Sequence, residues 1–385
     1  MGRERGFPSV RRRPSRGAPR VGNEEMAIFT CEPVAHAPAC GCGTGRRGLL
    51  RGVAALGAAL SSGLIAAPAF AQVAAPRPRR IDVHHHLTPP IYKDAALRRV
   101  EMSPPARDWT PEKTVADMDA AGIDVAMLSV STPGLGFAEG EERRRLARVC
   151  NEYAAEMAQR HPGRFGSFAA VPLPDVDGAL AEAVYALDTL KADGLLLFTS
   201  YGNTWLGDEK LHPLYEELNR RKAIVATHPL SPQCCTNVVP QIADTVVEFG
   251  TDTSRTIASL MFSGTAAKYP EIRFIFSHAG GTLPFLIERL DFQARPPAQS
   301  AKLFGGAVRP ALGHFLYDTA QAANPVALGA LRQVVPTSQI VLGTDFPYRT
   351  SPEQIQGLAG CGLDAATMRA IECGNAEALI PRLKV

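Results

Sequence analysis

The chain has 385 residues, of which 45% are hydrophobic, 21% charged and 7% aromatic, and this composition excludes collagen-like, disordered and multi-span membrane proteins. The formal net charge is +3, but residues 1–71 contain ten Arg against four Glu, so residues 72–385 carry a net charge of −3. No long basic run follows Arg80 to neutralise phosphates, and we expect no nucleic-acid partner.

The first 71 residues have the pattern of an export leader. Residues 1–45 are rich in Arg, Pro and Gly and are predicted to be disordered. Residues 46–71 combine paired arginines, an Ala/Leu/Gly-rich stretch and an AFA cleavage site, which is typical of a twin-arginine signal peptide. The alternative is a membrane anchor, but the apolar run over residues 53–67 is shorter than the roughly 20 residues of a span.

We therefore predict a leader that is cleaved after passage through the twin-arginine export machinery, with no stable membrane anchor left behind. The location that follows is periplasmic or secreted, and the cytoplasm is the alternative. Three of the eight cysteines lie in the leader. The remaining five include the adjacent Cys234 and Cys235, and their scattered spacing predicts neither a disulfide framework nor a CxxC zinc site.

After a linker at residues 72–80, short apolar runs alternate with longer helical patterns through residues 81–385, as in parallel βαβ proteins. Helical patterns cover Thr110–Ala121 and Glu139–His161, among others. Eight strands are predicted: Ile81–His84, Ile123–Val130, Phe165–Pro172, Gly194–Thr199, Ala223–His228, Arg273–His278, His314–Asp318 and Ile340–Asp345.

Eight strand and helix pairs predict an α/β fold with a single (βα)8 TIM barrel. The alternative is a doubly wound open sheet, which would place a Gly-rich phosphate loop after its first strand. That position holds His84-His85-His86 instead, and this favours the barrel.

Polar side chains end four of the predicted strands, where a barrel carries its active site. His84 and His86 are two residues apart on an extended strand, so both imidazoles project to one face. With His228 and Asp345 at two other strand ends, they predict a site for one divalent metal ion, for which Zn²⁺ is preferred and Mn²⁺ or Fe²⁺ are alternatives. Strand four ends without a Lys that could bridge a second ion.

Further residues near these strand ends are assigned to catalysis or substrate binding. His278, in a Gly-rich strand end, is predicted as an acid/base or water-orienting residue, with a helix cap as the alternative. Asp318 is a residue that could line the site. The aromatic residues that could form a flat pocket are Phe137, Phe198, Phe285, Phe346 and, in the loop after strand four, Trp205.

The segments IDVHHHLTPP, ATHPLSP, FIFSHAGGTLPFLIERL, FLYDTA and IVLGTDFPY resemble the amidohydrolase superfamily. They are most similar to its aminocarboxymuconate-semialdehyde decarboxylase-like branch, and there to the 6-methylsalicylate decarboxylase-like members. The resemblance implies a barrel of the metal-dependent hydrolase type, with metal ligation by His84, His86, His228 and Asp345 and a catalytic role for His278. It also implies an arginine for the substrate carboxylate, for which Arg107, Arg289 and Arg295 are candidates.

The first functional hypothesis is a metal-dependent, non-oxidative carboxy-lyase for an aromatic or unsaturated carboxylic acid, such as a hydroxybenzoate. Asp345 or His278 would supply the proton that replaces the carboxyl group. The alternative is a hydrolase of an amide, lactone or ester, in which Asp345 takes a proton from metal-bound water. A third hypothesis is a non-catalytic binding protein. The resemblance further implies a homo-oligomer.

Overall fold

The computed structural model describes residues 78–295 and 297–384. The predicted disordered extension, the twin-arginine signal peptide and most of the linker lie outside these residues. Within the described part of the chain, no helix is both long enough and apolar enough to cross a membrane.

Eight parallel strands form one sheet whose spatial order follows the chain. All eight predicted strands are present, with bounds that differ from the prediction by a few residues at most. They are β1 (Ile81–Leu87), β2 (Val125–Val130), β3 (Phe165–Ala170), β4 (Gly194–Phe198), β5 (Ile224–His228), β6 (Arg273–Phe276), β7 (Leu316–Asp318) and β8 (Ile340–Val341). The sheet is a nearly closed barrel, as predicted.

One principal helix follows each strand and lies outside the barrel. These are α1 (Pro111–Ala121), α2 (Gly140–Arg160), α3 (Val176–Asp188), α4 (His212–Arg220), α5 (Glu248–Phe262), α6 (Leu283–Gln293), α7 (Pro325–Arg332) and α8 (Ser351–Ala359). Additional helices cover Pro90–Leu97, Pro104–Arg107, Thr265–Lys268, Pro297–Phe304, Val308–Leu312, Ala365–Arg369 and Asn375–Leu379. A small hairpin of Ser200–Tyr201 and Thr204–Trp205, absent from the sequence prediction, follows β4.

The barrel closes between β1 and the residues that follow β8. Backbone amides donate across this seam from Val83 to Leu342 O, from Asp345 to His84 O and from His86 to Phe346 O, each at 2.8 Å. The seam therefore joins the segment that carries the two β1 histidines to the segment that carries Asp345.

Asp82 strengthens the seam from inside the fold. Its fully buried carboxylate accepts hydrogen bonds from the backbone amides of His84 (3.0 Å) and Thr344 (3.1 Å), and from the Thr344 hydroxyl. Its other contact is with His85 Nδ1 at 2.9 Å. One side chain thus fixes the backbone on both sides of the seam.

A bulge in β1 determines which residues face the barrel axis. Ile81 and Val83 pack into the apolar barrel interior with residues such as Met127 and Phe168. Strict alternation from Val83 would then turn His85 inward. The register instead shifts between Asp82 and His85, so His84 and His86 take the inward positions at the carboxyl end of the strand.

Candidate metal centre

Four side chains converge at the carboxyl ends of the strands, as the sequence predicts. The nearest nitrogen and oxygen atoms of His84, His86, His228 and Asp345 all lie within 4.8 Å of one another, and all four residues are buried. The Nε2 atoms of His84 and His86 are 3.0 Å apart. Asp345 Oδ1 lies 3.0 Å from Nε2 of His86 and 3.3 Å from Nε2 of His84.

The opposite ring nitrogen of each histidine contacts an oxygen that can accept its proton. When Nδ1 carries the hydrogen, the Nε2 lone pair is free to face the centre of the cluster. These contacts are His84 Nδ1 to Asp318 Oδ2 (2.7 Å), His86 Nδ1 to Ser129 O (3.3 Å) and Oγ (3.1 Å), and His228 Nδ1 to Pro229 O (2.9 Å).

This donor set fits a divalent cation. Three lone pairs and a carboxylate oxygen that face one another repel unless a proton or a cation lies between them. Imidazole nitrogen with carboxylate oxygen is a ligand set that suits Zn²⁺ and related ions. The structure therefore supports a divalent metal site at these four residues.

Burial and charge place His86, His228 and Asp345 in the protonation states that metal ligands need, whereas the raised pKa of His84 favours its protonated form. Burial lowers the pKa of His86, and burial together with the neighbouring His86 and His84 lowers the pKa of His228 well below its ordinary value. Burial also disfavours protonated His84, but the Asp318 and Asp345 carboxylates outweigh it and raise the pKa of His84. For Asp345, burial opposes ionisation, yet contacts with His278 and His84 hold its pKa well below the usual range.

His278 lies beside the cluster without belonging to its innermost set. Its Nε2 is 3.6 Å from Asp345 Oδ2 and has no hydrogen-bond partner among the residues that the structure describes. Its backbone amide donates to Asp318 Oδ1 at 2.9 Å. The residue has a φ of 55°, in the left-handed region. A free ring nitrogen next to the carboxylate is the arrangement expected of an acid/base residue, and α6 takes Thr282 rather than His278 as its N-cap.

The glycines after His278 serve a backbone contact. Gly281 has a φ of 65°, and a Cβ there would come within 2.0 Å of Gly250 O on α5. Thr282 N also donates to Gly250 O at 3.2 Å. Only glycine permits this approach, which fixes the His278 loop against α5.

Two residues, one at the end of β7 and one in the loop after it, hold the ligands in place. Asp318 accepts from both the His84 ring and the His278 backbone, as described above. Gln321 donates from its side-chain amide to Asp345 Oδ2, the oxygen that faces His278. The sequence pointed to Asp318 as a lining residue, but it gave no signal for Gln321, whose contact with Asp345 is formed only by folding.

Aromatic and apolar side chains surround the imidazoles. The ring centroids of Phe198 and His228 are 5.8 Å apart. The Phe198 side chain also lines a small apolar cavity of about 40 Å³, together with Leu196 and Leu230. The sequence did not predict two further aromatic neighbours. The Phe249 ring centroid lies 6.0 Å from that of His228, and the Tyr348 ring centroid lies 5.8 Å from that of His86.

Other predicted substrate contacts lie elsewhere in the structure. Arg107 is exposed and pairs with its neighbour Asp108 at 2.9 Å, and Arg289 is exposed on α6. Arg295 lies over the Phe292 ring at 5.6 Å. Their proposed role in holding a substrate carboxylate stays a prediction.

The remaining aromatic candidates have different surroundings. Phe346 stacks on His85 with centroids 4.8 Å apart, and Phe285 is 70% exposed on α6. Trp205 donates through Nε1 to the buried Asp252 at 2.7 Å, which fixes the hairpin after β4 to α5. A substrate contact by Trp205 likewise stays a prediction.

Sequence comparison matches residues 81–382 to the amidohydrolase family model. The 6-methylsalicylic acid decarboxylase of Penicillium expansum is 34% identical over 315 residues, which cover 79% of this chain and 97% of that protein. A decarboxylase of Aspergillus niger is 34% identical over 331 residues, covering 80% of this chain and 88% of its own length.

Comparison of structures gives the same fold. A crystal structure described as an amidohydrolase II is 29% identical, with a TM-score of 0.73, and covers 78% of this chain and 99% of its own. The 5-carboxyvanillate decarboxylase of Novosphingobium aromaticivorans, crystallised with manganese, is 21% identical with a TM-score of 0.72. The match covers 79% of this chain and 96% of that one.

Proposed function

The chain belongs to the amidohydrolase family, and on that premise we propose that it is a metal-dependent, non-oxidative decarboxylase of an aromatic carboxylic acid. The observation that carries the proposal is the 34% identity that extends over 97% of a 6-methylsalicylic acid decarboxylase. An ortho-hydroxybenzoate of this kind is the substrate class we propose.

His84, His86, His228 and Asp345 would hold the ion. When bound, the ion would supply Lewis acidity that polarises the substrate carboxylate. The protein residues then have two tasks, which are to orient the ring and to deliver a proton to the carbon that bears the carboxyl group.

His278 is the proposed proton donor, and Asp345 is the carboxylate that faces its ring. Protonated His278 gives its Nε2 proton to the ring carbon, the bond from that carbon to the carboxyl carbon breaks, and its electron pair returns to the ring as CO2 leaves. The Asp345 carboxylate lies 3.6 Å from the Nε2 atom that would deliver the proton. No water attacks in this sequence.

The wall near Phe198 suits a flat apolar ring. Phe198 is buried beside His228, and the adjacent cavity of about 40 Å³ has room for a small substituent such as a methyl group. A ring held against this wall would direct its polar groups toward the histidines.

Zn²⁺ is the ion we propose, with Mn²⁺ as the alternative. Three imidazoles and one carboxylate match the ligand preferences of zinc, whereas a manganese complex of a structural neighbour supports the alternative. Metal analysis of protein purified without added metal decides between them.

The test is CO2 release by the purified protein, loaded with Zn²⁺ or Mn²⁺, from ortho-hydroxy aromatic acids that include 6-methylsalicylate and γ-resorcylate. We expect CO2 release that stops when the metal is chelated and returns when it is restored. Metal-loaded protein that releases no CO2 but hydrolyses a lactone, ester or amide would instead establish the hydrolase.

We also propose that the leader directs twin-arginine export and that the mature protein is a homo-oligomer in the periplasm or outside the cell. The paired arginines at 46–47 and the AFA motif at 69–71 support export. An intact N-terminus on protein isolated from the cytoplasm would refute it, and light scattering gives the mass of the assembly.

A further inference from the structure

Gln321 reaches the centre from the surface. The residue is exposed, yet its side-chain amide donates to Oδ2 of the buried Asp345. A neutral donor to a carboxylate forms one of the stronger hydrogen bonds in proteins. Gln321 therefore contacts a predicted metal ligand directly while it remains open to solvent.

The backbone holds Gln321 in a fixed and uncommon conformation. Its φ is 51°, in the left-handed region that residues other than glycine rarely adopt. The backbone amide of Gln321 donates to Oε1 of the buried Gln354 on α8 at 3.0 Å. A conformation of this kind persists only where surrounding contacts fix it, and such residues concentrate at functional sites.

The two oxygens of Asp345 consequently face different partners. Oδ1 lies 3.0 Å from His86 Nε2 and 3.3 Å from His84 Nε2. Oδ2 accepts from Gln321 and lies 3.6 Å from His278 Nε2. Oδ1 thus contacts the two β1 histidines, and Oδ2 contacts Gln321 and lies near His278.

We propose that Gln321 is a positioning residue that keeps Asp345 a monodentate ligand and so leaves a coordination position open for the substrate. Carboxylates bind metal ions through one or both oxygens. The amide of Gln321 engages the second oxygen and keeps it from the ion. The inference rests on the metal-dependent function proposed above, because a substrate that chelates through two oxygens needs the open position.

The test replaces the amide without changing the length of the side chain. Gln321→Met removes the donor, and because the residue is exposed, the substitution should leave the fold intact. Gln321→Asn is a second variant, in which a shorter side chain withdraws the amide from Asp345. Gln339→Met is the matched control, since Gln339 lies just before β8, at the opposite end of the barrel from the metal centre.

Co²⁺ serves as the probe, since its visible absorption is stronger at low coordination number. We expect both Gln321 variants to bind one Co²⁺ with weaker absorption than the unaltered protein, because Asp345 then binds through both oxygens. We expect kcat/KM to fall about 10- to 100-fold, mainly through KM. Gln339→Met should match the unaltered protein in both measurements.

An unchanged cobalt spectrum in fully loaded Gln321→Met and Gln321→Asn proteins would overturn the proposal, as would an equal change in the Gln339 variant. The spectrum is recorded without substrate. If the Gln321 variants change the spectrum but the unaltered protein releases no CO2, the role of Gln321 is supported and the proposed reaction is rejected. If the unaltered protein releases CO2 but the variants leave the spectrum unchanged, the reaction is supported and the role of Gln321 is rejected.

Discussion

His278→Asn separates acid/base chemistry from metal binding. The substitution suits the backbone, because Asn is among the residues that adopt left-handed φ values most readily, and His278 has a φ of 55°. It also keeps the backbone amide that donates to Asp318. The variant therefore removes the imidazole and leaves the loop in place.

The expected magnitude follows from the position of the ring. His278 Nε2 lies 3.6 Å from Asp345 Oδ2 and is outside the set of four converging ligand atoms, so the metal content should not change. A positioned general acid contributes about 10²- to 10⁴-fold to a rate. At about 1.4 kcal/mol for each factor of ten, the barrier should rise by roughly 3–6 kcal/mol.

The assay compares kcat and bound metal in the same samples. His84→Ala is the reference for a lost ligand, and we expect it to lose metal and activity together. His278→Asn should keep its metal and lose turnover. If it lost metal instead, and recovered full activity when the ion was added back, His278 would be a ligand and the proposed proton donor would be wrong.

Two other substitutions test the residues that hold the centre together, with Asp291→Asn on α6 as a shared partly exposed control. Asp318→Asn removes the charge that orients His84 and should weaken Zn²⁺ binding about 10- to 100-fold. Titration against a chelator measures the affinity, and a Zn²⁺ affinity equal to that of the unaltered protein would contradict this role. Asp82→Ala leaves the buried amide and hydroxyl of Thr344 without their acceptor and should lower the free energy of unfolding by about 3 kcal/mol. Urea denaturation measures it, and a loss no larger than that of the control would show that the backbone alone closes the seam.

The sequence predicted the barrel and the ligand set because both depend on local patterns. Alternating apolar runs and helical segments identify eight strands, and polar residues at their ends identify the site. The shared face of His84 and His86 needs only the two-residue period of a strand. Which face points inward depends on the bulge after Asp82, and that is a property of pairing between β1 and β2.

The residues that support the ligands were harder to predict because their contacts are distant in sequence. Asp318 is 234 residues from His84, and Gln321 contacts a carboxylate that its own loop does not carry. Ser129 at the end of β2 is an ordinary strand residue until folding places it against His86. Composition and spacing carry no signal for pairings of this kind.

The metal centre and the closure of the barrel depend on the same backbone. β8 pairs with β7 over only two residues, Ile340 and Val341, and the chain then leaves the ladder to bond across the seam to β1. His84 and His86 lie on one side of that seam and Asp345 on the other. An ion bound by all three would cross-link the two sides of the seam that closes the barrel, so metal affinity would contribute directly to the stability of the folded barrel.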